Sequence, residues 1–210
     1  MENQYYNSTG ASLILGSLLI VLTMVLHPSG GNIQQIIITS KVITSTHILA
    51  ICCLPFIFFG FYGLTKRIID KYHISMLAFI IINLGLIAAL FAALFNGLVL
   101  PYFLNTYSKK LPENLTVLRP ISNFSFAINT ALDYVFICAL VCAMFVYSTQ
   151  IIRLKTKYKW IGVLGISITT LTLLGLFNNF IFTSLFGFRI FTFSIAIWIF
   201  SVGLFLLKSK

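Results

Sequence analysis

Long apolar runs alternate with short polar segments along the whole chain of 210 residues. A bilayer core about 30 Å thick needs about 20 apolar residues to be crossed by one helix. Six runs approach or exceed this length, at approximately 11–27, 43–64, 75–100, 122–148, 160–182 and 187–207. The pattern therefore predicts an all-α fold, a polytopic transmembrane bundle of six helices that forms a single domain over residues 1–210.

The first run and the segment after it need separate interpretation. The leading sequence MENQYYNSTG has no positively charged region, and no small-residue cleavage site follows the first run. This favours a retained helix over a cleaved signal peptide. The segment 32–41 has apolar residues in a block, so it either lies along the membrane interface or extends the second helix.

Lysine and arginine are distributed unequally between the two sides of the predicted bundle. Nine lie on the side that holds both termini and five on the other side. Because cytoplasmic loops carry the excess of positive charge, the bias predicts that both termini are cytoplasmic. Residues 28–42, 101–121 and 183–189 would then face outward, and we expect a plasma membrane or a bacterial inner membrane.

Composition excludes several classes of protein. The chain is 59% hydrophobic and only 9% charged, whereas soluble domains carry about 25% charged residues. The formal net charge of +10 comes from short clusters between apolar runs, and no basic face with interleaved aromatic residues is present to bind nucleic acid. The partner that composition predicts is the lipid bilayer.

The sequence contains no motif that identifies a reaction. The four cysteines all lie inside apolar runs without the spacing of a zinc site, so we interpret them as packing residues. No phosphate-binding loop, serine nucleophile motif or metalloprotease motif is found. We therefore predict no catalytic residue and favour a protein that is not an enzyme.

Small and polar residues form a stripe on each predicted helix, which is typical of helix interfaces in a membrane. The last helix contributes Ser194, Trp198 and Ser201. Polar residues concentrate in the predicted outer half, where His27 lies at the rim. His47 and Asn96 lie roughly 6 to 8 Å deep, Asn129 about 10 Å and Asp133 about 16 Å. This gradient predicts an outward-facing vestibule with Asp133 at its base and Asn129, Asn96, His47 and His27 along its wall.

Asp133 is the only acidic residue inside a predicted span. A carboxylate there costs about 2.5 to 3.5 kcal/mol on insertion scales, so intramembrane acids commonly serve proton handling, cation binding or recognition of a ligand amine. The structural alternative is that Asp133 is protonated, or hydrogen-bonds to Asn129, Asn96 or a backbone carbonyl, and ties helices together.

His27 and His47 lie near the same membrane surface on consecutive helices. Two such histidines are the ligands of a bis-imidazole haem, and with Asp133 they have the residue types of a two-histidine, one-carboxylate metal site. Depth argues against the second arrangement, because Asp133 lies about 10 Å below His47. The alternative is that His27 simply ends a helix before Pro28, where a polar ring complements the helix dipole.

Four functions follow from these patterns, in order of preference. The first is binding or transport of a small ligand or cation that enters the vestibule. The second is a structural or assembly subunit that forms a homo-oligomer or joins a larger membrane complex. The third is a haem- or metal-bearing redox subunit that uses His27 and His47. The last is an enzyme acting on a lipid, which would usually need a clear nucleophile and base.

Overall fold

A computed structural model of the protein describes residues 2–29, 31–108 and 115–208. The described residues form helices and connecting turns, without strands. The helices are α1 (Glu2–Leu26), α2 (Ile33–Ile38), α3 (Ser40–Ile69), α4 (Ile74–Ala92), a π-helical segment (Ala93–Val99), α5 (Leu100–Ser108), α6 (Leu115–Arg153), α7 (Lys159–Phe177) and α8 (Leu185–Lys208). The predicted all-α fold is confirmed.

Six of these stretches are long and apolar enough to cross a membrane: Gln4–Leu26, Ser40–Ile69, Ile74–Tyr107, Thr116–Arg153, Lys159–Phe177 and Leu185–Lys208. Large apolar side chains such as Leu22, Ile80 and Leu171 are exposed on their outer faces. Because such side chains are stable only in an apolar medium, the fold is that of a multi-pass integral membrane protein. The cytoplasmic position of both termini stays a prediction.

The first helix begins earlier than predicted, at Glu2 instead of residue 11. Its polar start packs against the end of α3: the Tyr5 and Phe59 ring centres are 6.3 Å apart, and the Arg67 guanidinium lies 5.1 Å from the Tyr6 ring centre. The Thr9 side chain occupies the space that a side chain at Gly63 would need. Tertiary contacts therefore extend this helix into a segment that hydropathy alone does not mark.

The fifth spanning helix ends at Phe177, five residues before the predicted end at 182. Asn179 adopts a left-handed conformation with φ of 58°. The Phe180 amide donates to the Gly175 carbonyl and the Asn179 amide to the Leu176 carbonyl, which is the Schellman arrangement that closes helices. The bounds at the other helix ends differ from prediction by one to seven residues: α6 begins seven residues early, at Leu115, and the third spanning stretch continues to Tyr107, seven residues beyond the predicted end at 100.

The segment after α1 forms a separate short helix instead of an extension of the next span. Asn32 begins α2 by accepting a hydrogen bond from the Gln35 amide at 3.0 Å. The apolar face of α2 packs with α5 and the start of α6. This apolar cluster, which we call the cap, consists of Ile33, Ile36, Leu100, Leu104 and Leu118.

The bundle has two different halves. At the half away from the cap, Phe61 stacks between Tyr147 and Trp198, with ring centres 5.7 and 6.0 Å apart. There α1 packs between α3 and α8, α4 packs on α6, and α6 packs on α7. The half nearest the cap is packed less completely, and it contains a cavity.

Candidate functional site

A cavity of about 310 Å³ lies between the spanning helices, on the side of the cap. Its wall includes all five residues predicted to form the vestibule: His27, His47, Asn96, Asn129 and Asp133. The other lining residues are Ile20, Thr23, Met24, Ala50, Ala89, Ala92, Ala93, Phe136, Thr183, Leu185, Phe188 and Thr192. The tertiary structure therefore brings the five predicted side chains to one space.

The cavity is two helical turns deep. Towards the cap it is lined by His27, Asn96, Asn129 and Leu185, and at its floor by Ile20, Ala89, Phe136 and Thr192. Each floor residue lies seven positions along the chain from its rim partner and further from the cap, a distance of about 10 Å in a helix. Asp133 stands one turn above Phe136 and therefore near the floor.

The Asp133 carboxylate is held by a neighbour on its own helix. The Asn129 side-chain amide donates to Asp133 Oδ2 at 2.8 Å, across one turn of α6. This bond is the interaction that the structural alternative predicts, but it lies within one helix and does not tie two helices together. It also leaves Asp133 Oδ1 and the Asn129 side-chain oxygen as acceptors beside the cavity.

The two histidines present the same nitrogen to the backbone. His27 Nδ1 lies 2.9 Å from the Pro28 carbonyl oxygen, and His47 Nδ1 lies 2.8 Å from the Ile43 carbonyl oxygen. A carbonyl oxygen only accepts, so each Nδ1 carries the proton and each neutral ring keeps a lone pair on Nε2. The ring centres are 5.0 Å apart, which places two hydrogen-bond acceptors side by side near the rim.

The π-helical segment carries Asn96 and adjoins His47. Pro101 has no amide hydrogen to donate to the Gly97 carbonyl, and the Thr44 hydroxyl of α3 donates to that carbonyl instead, at 3.2 Å. A side chain at Gly97 would overlap the imidazole of His47. The absence of a side chain at Gly97 therefore lets α3 approach closely, and π-helical turns are frequent at functional sites.

Arg189 of α8 binds the end of α1. Its guanidinium donates to the His27 carbonyl at 2.7 Å, so a positive charge lies where the helix dipole and unpaired carbonyls favour one. Burial lowers the pKa of His27; the bond to the Pro28 carbonyl opposes this shift and the charge of Arg189 adds to it. The lowered pKa therefore favours the neutral form of His27.

This lowered pKa predicts a loss of stability in acid. A histidine whose pKa is lower in the folded state binds fewer protons there than when unfolded, so stability decreases as the pH falls below about 6.5. The charge of Arg189 disfavours the positive form of the ring, and the uncharged form of the neighbouring His47 ring lies with its centre 5.0 Å away without adding to the shift. We expect the melting temperature to fall between pH 7.5 and 5.5, and to fall less in a His27→Gln variant.

The matched control for this experiment is His73→Gln, at an exposed position in the turn between α3 and α4. Melting temperatures of the three proteins in the same detergent would be compared at both pH values. An identical decrease in wild type and His27→Gln would show that His27 does not contribute.

The predicted metal and haem sites do not fit the geometry. Within residues 2–29, 31–108 and 115–208, histidine, cysteine and acidic side chains form no group of three that could hold a metal ion. Iron between two axial imidazoles separates their ring centres by about 6 Å, whereas the rings of His27 and His47 are 5.0 Å apart and inclined by 60°. The pair is better suited to accepting hydrogen bonds.

Sequence reasoning missed the contribution of α8 to the cavity. On that helix it selected Ser194, but the cavity is lined by Thr192 and Phe188, with Thr183 from the preceding turn. The hydroxyl of Ser194 bonds to the Ile190 carbonyl within its own helix. The missed signal is the spacing of Leu185, Phe188 and Thr192, which repeats at three and four residues on one face.

Thr23 of α1 adds a further acceptor to the wall. Its side chain is 4% exposed, and its hydroxyl is buried without a hydrogen-bond partner among the described residues. A buried hydroxyl without a partner is unfavourable unless water or a ligand binds it. The hydroxyl of Thr23 is therefore a group of the site that a bound ligand or water could pair with.

No protein-family model, curated protein or solved structure matches this chain. The chain is defined by its architecture as an all-α, multi-pass integral membrane protein. The chemistry of the cavity is therefore the basis for assigning a function.

Proposed function

We propose that this membrane protein binds a small organic cation, an amine in its protonated form, inside the cavity. The observation that carries the proposal is the Asp133 carboxylate, which lines the cavity and hydrogen-bonds to Asn129. None of the described residues that line the cavity is a lysine or arginine. A bound ammonium group would supply the missing positive charge.

The remaining polar groups support the same ligand class. The Nε2 atoms of His27 and His47, the Asn129 side-chain oxygen and the Thr23 hydroxyl all accept hydrogen bonds. A site in which acceptors predominate selects a ligand rich in donors, because buried acceptors left unpaired weaken binding. Protonated amines carry up to three N–H donors on one atom.

An organic cation fits better than a metal ion. The described residues form no cluster of three metal-binding side chains. Nine of the seventeen lining residues are apolar, including Ile20, Phe136 and Phe188. Small-molecule sites typically combine such an apolar wall with a few placed polar groups.

The test is calorimetric titration of the purified protein in mild detergent at pH 7.5. We expect n-propylamine to bind with a Kd of about 1 mM or tighter. Its uncharged analogue 1-propanol, of similar size, should bind at least tenfold more weakly, because it cannot pair with Asp133. Equal affinity for the two compounds, or no binding of either, would overturn the proposal.

A further inference from the structure

A second, smaller space lies directly beneath the cavity. It measures about 70 Å³ and is lined by Ile20, Leu54, Ile57, Phe61, Ile82, Leu86, Ala89, Phe136, Leu140, Thr192, Ile195 and Ile199. Apart from the hydroxyl of Thr192, which bonds to backbone carbonyls of its own helix, these residues are apolar. We call this space the apolar chamber.

The apolar chamber continues the cavity along the bundle axis. Four residues line both spaces: Ile20, Ala89, Phe136 and Thr192. The residues that line the chamber alone lie further from the cap on the same helices, such as Leu86 before Ala89 and Ile195 after Thr192. The floor of the cavity is therefore also the ceiling of the chamber, and Phe61 lines the chamber on the side away from the cap.

The chamber suits hydrocarbon and not water. A water molecule in a protein needs two to four polar partners, and apolar cavities without them stay dry. An apolar cavity of roughly 150 Å³ accepts a benzene ring. A chamber of about 70 Å³ therefore has room for about three carbon atoms of an alkyl chain.

We infer that the ligand is an amphipathic amine whose alkyl chain enters the apolar chamber while its ammonium group pairs with Asp133; this inference rests on the proposed function. Asp133 lies one helical turn above Phe136, a distance that an extended chain of about four carbons covers. About three further carbons fill the chamber. The preferred ligands are linear amines of about seven carbons.

The experiment is a titration series of linear primary amines from methylamine to nonylamine. Each methylene that leaves water should increase affinity about fourfold, up to about seven carbons, and the gain should then stop. The same series on an Asp133→Asn variant measures the background from partition of the amines into detergent.

A chamber-filling variant tests the location of the chain. Leu86 lines the chamber and not the cavity, so Leu86→Phe should reduce heptylamine binding at least tenfold and leave ethylamine binding unchanged. Leu84→Phe makes the same substitution on the same helix at a lipid-exposed position, and it should leave both affinities unchanged. If Leu86→Phe fails to fold, the chain-length series on the wild type still shows whether the alkyl chain occupies a space of limited length.

The outcomes separate the two proposals. If no amine of any length binds, the proposed function fails and the inference fails with it. If short and long amines bind with equal affinity, or if affinity still rises up to nonylamine with no plateau near seven carbons, the apolar chamber is not the site of the chain. In those two cases amines still bind, so the proposed function is retained and only the inference about the alkyl chain is rejected.

Discussion

Asp133→Asn is expected to lower the affinity for small amines at least a hundredfold, with the protein still folded. Removing one partner of a buried charge pair typically costs about 3 to 5 kcal/mol, which corresponds to a factor of at least 10² in Kd. The asparagine has nearly the same volume, and its side-chain oxygen can still accept the hydrogen bond of Asn129. The change therefore removes charge and little else.

Calorimetric titration with n-propylamine measures this effect, and the melting temperature reports on folding. We expect the melting temperature to stay equal or rise slightly, since an intramembrane carboxylate is costly to bury. The matched control is Asp70→Asn, which makes the same change at an exposed position at the end of α3. Unchanged amine affinity in Asp133→Asn would remove Asp133 from the site.

The second large effect concerns the crossing of α1 and α8. Gly10 and Gly203 face each other so closely that a Cβ on either would lie 2.8 Å from the backbone carbonyl oxygen of the other. Small residues at such crossings let helix backbones pack directly in a membrane. Leucine at position 203 would have to move a whole helix, because no flexible side chain can yield.

We expect Gly203→Leu to destabilise the protein by more than about 3 kcal/mol, at the upper end of overpacking effects. Size-exclusion chromatography after extraction in mild detergent should show aggregated protein in place of a single folded peak. Ala131→Leu also adds a large side chain, but at an exposed position on α6, and it should elute like the wild type. Normal elution of Gly203→Leu would show that α1 and α8 can move apart with little loss of stability.

Part of the architecture follows directly from periodicity and length. Long apolar runs bounded by charged or turn-forming residues predict six spans. In hydrocarbon every backbone N–H and C=O group must be hydrogen-bonded within the protein, and a helix is the simplest structure that does this. The same logic failed at 2–10, a polar segment that is helical and contacts the end of α3 through Tyr5 and Tyr6. It also failed at 178–182, where Asn179 closes α7. Both failures involve interactions that hydropathy does not measure.

The sequence predicted which residues form the candidate site, but it could not predict that they meet in one cavity. Polar side chains cost free energy in hydrocarbon, so their presence in a span already indicates that they face the interior. The sequence could therefore nominate Asp133, Asn129 and Asn96, but it carries no information about which helices are neighbours. Arg189 is one of the five basic residues on the predicted outer side, and its charge alone gives no sign that it binds the end of α1.

For this protein, the sequence alone determined the class, the number of spans and the polar side chains that must avoid lipid, because these depend on the free energy of moving each residue into hydrocarbon. Only the tertiary structure decided that the five side chains share one cavity, that both histidines direct Nδ1 to the backbone, and that an apolar chamber lies below Asp133. These features depend on helix order and on close approach at positions such as Gly97 and Gly203. These features result from packing between segments that are distant in the sequence, and a local sequence pattern does not predict such packing.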